Sequence, residues 1–247
     1  MLGPAVVLAA LAAWWLWPAP RGAVVFPDEG EPGQPLIVLD AGHGGVDGGT
    51  QGFGVLEKTA ALDVTVQLAA ELRRRGYAVA MVRRDDSRLS LAERVDFANA
   101  RRPLAFVSVH FNFSTDSAAI RGVETYYAAP KEPSVLTALA ETLHVPPNAP
   151  ELDDASRTLA EETARHVSRH ADTPDRGARN RPDLAVVRRT ACPAVLVECA
   201  YLSHKPDAAR AKTAAWRKKL AEGIANGLDA WKKATAPPEA PDMAAVR

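Results

Sequence analysis

Residues 36–58, LIVLDAGHGGVDGGTQGFGVLEK, place one histidine, His43, and one glutamate, Glu57, among seven glycines directly after an apolar run. The stretch does not carry phosphate-loop chemistry: no Gly-Lys-Ser/Thr follows, and the spacing is not G-x-G-x-x-G ahead of a helix. One imidazole and one carboxylate point to metal binding instead. Two further residues extend the set. His110 closes the apolar run LAFVSVH, and Glu198 closes PAVLVE. Two imidazoles and a carboxylate can hold zinc and leave a fourth position for water. The ion would bring that water's pKa from about 15.7 toward 7. A carboxylate outside the metal shell would take the water's proton and pass it to a leaving amine. Glu198 suits that part, because burial at the end of an apolar strand raises a carboxyl pKa.

Each residue taken singly has a plainer reading. A histidine in a glycine loop can cap a turn, and a histidine at a strand end can be a satisfied edge residue. Glu198 is harder to set aside, since a carboxylate closing AVLVE needs a partner. The shared address of the four favours the chemical reading. Other candidates are weaker. His166 and His170 lie four apart, but in HVSRH and not H-E-x-x-H, and flanking arginines make a solvated basic face the better reading. Ser108 lacks a nucleophile elbow. His144 and His204 read as surface residues, and Arg73 to Arg75 as the exposed end of a helix.

The elements that must position these groups follow from periodicity. LIVLD is a buried parallel strand. Residues 59–75 have helical spacing, end in basic residues and stop at Gly76. YAVAMV is a strand. Ser90 and Glu93 form a capping box for a helix over 90–102. LAFVSVH, VETYYA, LAVVRR and PAVLVE read as strands, DDASRTLAEETARHVSRH as a helix, and PDAARAKTAAWRKKLAEGIANGLDAWKK as one long closing helix. Alternation of strands and helices predicts an α/β fold: a single domain with a mainly parallel, twisted sheet flanked by helices on both faces. In such sheets ligands bind beyond the carboxyl ends of the strands. His43, His110 and Glu198 all fall there, and Glu57, just before the first helix, is brought to the same edge by its glycines.

The chain has 247 residues, and its 30 basic and 30 acidic side chains cancel, so nothing in the balance supports nucleic acid binding. Cys192 and Cys199 are separated by a strand of roughly 23 Å, beyond disulfide reach. Leu2 to Pro18 carries no charged side chain. Residues 1–20 are therefore expected to be a signal peptide or an N-terminal membrane anchor. A proline-rich linker over 21–35, a domain over 36–233 with a loop insertion at 129–153, and a disordered tail over 234–247 complete the expected organisation.

These motifs together resemble a known family, the zinc-dependent N-acetylmuramoyl-L-alanine amidases of bacterial cell walls, type 3. IVLDAGHGGVDGG is similar to its first ligand loop, with His43. GVLEK is similar to its glutamate segment, with Glu57. FVSVHFN is similar to its second histidine segment, with His110, and Asn112 stands in its usual place. DRGARNRPDLAVVRRTACPAVLVECAYLSHKPD is similar to its closing segment, with Glu198 at the catalytic position. The resemblance implies one zinc ion, peptidoglycan as the partner, and hydrolysis of the amide between N-acetylmuramic acid and L-alanine outside the cytoplasm, in the periplasm or cell envelope. Asn112 and Arg188 are the candidate substrate-binding residues. An activator protein and membrane anchoring by the N-terminal segment are further expectations. A zinc peptidase and a non-catalytic wall-binding module are the alternatives. The sequence departs from the family pattern at Phe111 and Phe113, where small residues are common, and at His204, where asparagine is usual. Glu132 and Glu141, in the insertion, are read as surface residues.

Overall fold

Alternation along the strands decides which side chains share a face, and here it separates an apolar core from a polar site. The computed structural model describes residues 30, 31, 33–129 and 149–236. The apolar N-terminal run, most of the linker, residues 130–148 with Glu132, Glu141 and His144, and residues 237–247 lie outside them. In chain order the elements are β1 (Leu36–Ala41), β2 (Gln51–Gly52), β3 (Val55–Leu56), α1 (Glu57–Arg74), β4 (Ala78–Met81), α2 (Leu91–Arg101) and β5 (Ala105–Asn112). There follow β6 (Val123–Tyr127), α3 (Ala149–Ala171), β7 (Asp175–Asn180), α4 (Ala185–Arg188), β8 (Ala194–Tyr201), α5 (Lys205–Ala211) and α6 (Ala214–Ala234).

Six strands form one sheet in the order β4-β1-β5-β8-β6-β7. Pairing is parallel except between β6 and β8, which are antiparallel. The strands β2 and β3 make a small separate hairpin. On one face Leu39, Val107, Val109, Val195 and Val197 pack with Leu68 of α1, Leu159 of α3 and Ile224 of α6. On the other face Val38, Phe106, Leu196 and Tyr126 pack with Ala98 of α2 and Val186 of α4. Side chains two apart share a face, so this second set continues toward the strand ends as Asp40, Ser108, His110, Asn112 and Glu198. There a cleft lined by residues of α2 and α4 reaches His43 and His110.

The capping box forms as expected, with the Ser90 side chain accepting from the Glu93 amide and the Glu93 carboxylate accepting from the Ser90 amide. Four expectations need correction. LAVVRR is not a strand but the turn of helix α4: Val186 and Val187 both enter the same core, which adjacent strand residues do not do. The closing helix is two helices, because the Thr213 side chain accepts from the Trp216 amide and starts α6 afresh. Glu57 is the first residue of α1 and does not precede it. Residues 149–153, placed in the insertion, belong to α3. Cys192 and Cys199 are both buried and share no disulfide, as expected. Among the described residues no helix is long and apolar enough to cross a membrane.

Candidate active site

His43 stands on the loop that leaves β1, with φ at +59°, a conformation uncommon outside glycine. Two buried arginines hold it there. Arg83, after β4, donates to the carbonyls of Ala41, Gly42 and Lys58 at 2.7–2.8 Å. Arg94, from α2, donates to the carbonyls of Ala41 and His43 at 2.8 and 2.7 Å and pairs with Asp40 at 2.5 Å. Asp40 in turn accepts the Ser108 hydroxyl at 2.8 Å. Ser108 is therefore a buried positioning partner and not a nucleophile. None of Arg83, Arg94 or Asp40 stood out in the sequence. Their signal, polar residues inside otherwise core-facing stretches, is weak without knowing what covers them.

Glu57 meets both histidines. Its Oε1 lies 3.1 Å from His43 Nε2 and 2.9 Å from His110 Nδ1, and it also accepts the Phe111 amide at 3.1 Å. Its Oε2 accepts the Thr50 amide at 2.7 Å. The three side chains offer ligand atoms that all lie within 4.8 Å of one another. His43 Nδ1 donates to Asp47 Oδ1 at 2.9 Å, and the same oxygen accepts the Gly49 amide at 3.0 Å. A metal-ligating histidine is typically held by such a carboxylate on its other nitrogen. Asp47 thereby leaves Nε2 of His43 as the ligand atom. The donor set, two imidazole nitrogens and one carboxylate oxygen, fits a divalent ion of the zinc type. Gly49 keeps the cradle open: a Cβ there would come within 2.5 Å of Glu57 Oε2 and 2.6 Å of His43 Cδ2.

Electrostatics agree with the geometry. Burial alone would raise the Glu57 pKa, but the hydrogen bonds from His110 and His43 outweigh it and push the carboxyl far below its usual range. For His43, burial opposes the imidazolium, yet Glu57 and Asp47 together lift its pKa to about 8.

Glu198 is the register neighbour of His110 on β5 and of Glu124 on β6. Its Oε2 is buried with no hydrogen-bond partner. Burial pushes its pKa up to about 7; the Glu57 and Glu124 carboxylates add to the rise, while His110 and His43 oppose it. Asn112 Nδ2 donates to the Tyr126 hydroxyl at 3.2 Å, and Asn112 Oδ1 accepts the Phe113 amide at 2.7 Å. Phe111 points into the core at 1% exposure and takes no part in the groove wall, whereas Phe113 is exposed. Arg188 ends α4, half-buried; the hydrogen bond from Arg181 is the main cause that holds the nearby Asp183 carboxyl at about 2, with the Arg188 charge adding to it. Asp183, Leu184 and Val186 line a cleft of about 680 Å³ that runs from α4 past Leu89 and Leu91 to His43 and His110. His166 lies against Glu162, and His170 pairs with Glu222 at 2.8 Å. His204 caps α5, its Nδ1 accepting from the Asp207 amide.

The family model described as N-acetylmuramoyl-L-alanine amidase matches residues 37–230. The chain belongs to that family. The uncharacterized protein YqiI of Bacillus subtilis is 31% identical over 213 residues, which cover 86% of this chain and 90% of YqiI. The amidase LytC of the same organism is 31% identical over 191 residues, 77% of this chain but only 34% of LytC. Among solved structures, the catalytic domain of the amidase CwlV from Bacillus (Paenibacillus) polymyxa superposes with a TM-score of 0.68 at 30% identity, covering 81% of this chain and 99% of that one. An N-acetylmuramoyl-L-alanine amidase from Clostridium difficile superposes with a TM-score of 0.69 at 25% identity, covering 82% and 99%. The α/β fold with its mostly parallel sheet is the fold of these amidases.

Proposed function

We propose that this chain is a zinc-dependent N-acetylmuramoyl-L-alanine amidase that cleaves the amide between N-acetylmuramic acid and L-alanine in peptidoglycan. Family membership supports the reaction, and the converging side chains of His43, Glu57 and His110 support the metal. Zinc, when bound, supplies Lewis acidity that activates water and polarises the scissile carbonyl. The chain's residues do the rest. His43, Glu57 and His110 hold the ion, and Asp47 fixes the tautomer of His43. Glu198 accepts the proton of the attacking water and returns it to the departing nitrogen of L-alanine. A carboxyl near pKa 7 is matched to both transfers at neutral pH. Asn112, held by Tyr126, presents its amide beside this path. The 36–233 segment is the catalytic domain, and an export or anchoring role for residues 1–20 places it at the envelope, where its polymer lies.

The observation that carries this reading is the meeting of three ligand side chains beside an acid with a bare oxygen. Digestion of purified sacculi tests it. Mass analysis is expected to find free stem peptides starting with L-alanine, lost on chelation and regained with zinc. Peptides with any other N-terminus would point to a peptidase.

A further inference from the structure

Beyond Glu198 the same face of the sheet carries charged residues that metal binding and proton transfer leave unused. Arg176 and Arg179 lie on the edge strand β7. Residues three apart on a regular strand face opposite sides. Here they do not. Between the pairs Val123↔Asp175 and Thr125↔Ala178, β7 holds one residue more than β6. Gly177, at φ +81°, absorbs the extra residue as a β-bulge. Both guanidinium groups consequently reach Glu124: Arg179 Nε pairs with Oε1, and Arg176 Nε lies 3.7 Å from Oε2. Glu124 is 2% exposed and accepts the hydroxyls of Tyr126 and Tyr201 at 3.1 and 2.5 Å. Two guanidinium groups therefore face the buried Glu124 carboxylate, whose register neighbour on β8 is Glu198. Arg176 Nε is buried without a hydrogen bond, and Arg179 remains 55% exposed on its side chain.

The direction of the reaction relates these arginines to the substrate. The scissile carbonyl belongs at the His43–Glu57–His110 triad, and the leaving nitrogen belongs at Glu198. The peptide beyond that nitrogen then continues from β8 across β6 to β7, while the sugar side is left with the cleft between α2 and α4. Two strand spacings, roughly 10 Å, equal two to three residues of extended peptide. Resting on the amidase reading, we propose that Arg176 and Arg179 form a subsite for a carboxylate on the peptide side of the substrate, two or three residues from the scissile bond.

Synthetic tripeptides with an amidated C-terminus, L-alanine first, test this in pairs that differ only in whether the second or the third residue bears a side-chain carboxylate or its amide. Calorimetry on the full zinc-loaded chain is expected to show about tenfold tighter binding of the carboxylate form in at least one pair. Raised salt should shrink the preference. Arg179→Gln should bring the ratio close to one, and Arg179→Lys should keep most of it. Arg179 is the exposed member, so Arg176 still faces Glu124 in both variants, and thermal melts check that they fold. Equal binding within both pairs by the wild type, or an unchanged ratio in Arg179→Gln, overturns the subsite. A sacculus digest that frees L-alanine peptides alongside a ratio of one sinks the subsite and spares the amidase reading. A digest that frees none sinks that reading by itself.

Discussion

The site has two walls, and each contributes one interior glutamate. On the wall built by the β1 loop, the start of α1 and the end of β5, Glu57 is surrounded by donors: two imidazoles and the amides of Thr50 and Phe111. On the wall built by β8, Glu198 keeps one buried oxygen with no partner. Burial pushes both pKa values upward. At Glu57 the hydrogen bonds from His110 and His43 reverse that push, and at Glu198 nothing does. The same side chain thus becomes a fixed anion in one place and an exchangeable acid in the other. The donors supplied by the fold, not the depth of burial, decide which.

Removing the anion breaks the comparison most severely. Glu57→Ala is expected to lose both zinc, by atomic emission of the purified protein, and all measurable amide hydrolysis. Changing the other wall should separate the two properties. Glu198→Gln should keep its zinc and lose roughly 10²–10⁴-fold in kcat. Full turnover in that variant would remove Glu198 from proton transfer. A smaller effect comes from the carboxylate behind the first wall. Asp47→Asn should weaken zinc affinity by about 10–100-fold, with activity recovered when zinc is added in excess. A variant that binds zinc as tightly as the wild type would show that Asp47 does not orient His43.

The first wall was the more legible in sequence, and the reason is local. His43, Glu57 and His110 sit at the ends of apolar runs or in a glycine-rich loop, where a polar residue stands out. Asp47 has the same setting but reads as one more turn residue in GGVDGG. Arg83 and Arg94 lie in charged surroundings, RRDD and AERVD, that resemble solvated surface until the loop they clamp is known. The second wall was partly hidden. β7 has the sequence DRGARN, without apolar alternation, because an edge strand pairs with one neighbour and buries little of its own surface. Its bulge, which turns Arg176 and Arg179 to one face, depends on pairing with β6 and has no local signature beyond Gly177. The valines of LAVVRR suggested a strand, but their side chains fill one core from a helical turn. Propensity is overruled there by what lies opposite.

The last test concerns stability, not turnover, and isolates the exchangeable acid. In the zinc-free protein Glu198 has a pKa of about 7, raised from 4.5. Below pH 4.5 the folded and unfolded chains both carry it protonated, and it costs nothing. As pH rises from 4.5 to 7 the unfolded chain releases the proton first, so stability falls through that window and levels off above it. The full penalty is on the order of 3 kcal/mol. Glu198→Gln cannot ionise and escapes it. Urea unfolding of both zinc-free proteins should therefore show the variant gaining on the wild type between pH 4.5 and 7, with a constant difference at higher pH. Groups that do not touch Glu198 cancel in the comparison, while His43 and Glu57 interact with it and enter the difference through that coupling. Parallel stability curves would mean that Glu198 finds a partner in solution, and the contrast between the two walls would then lie in geometry alone.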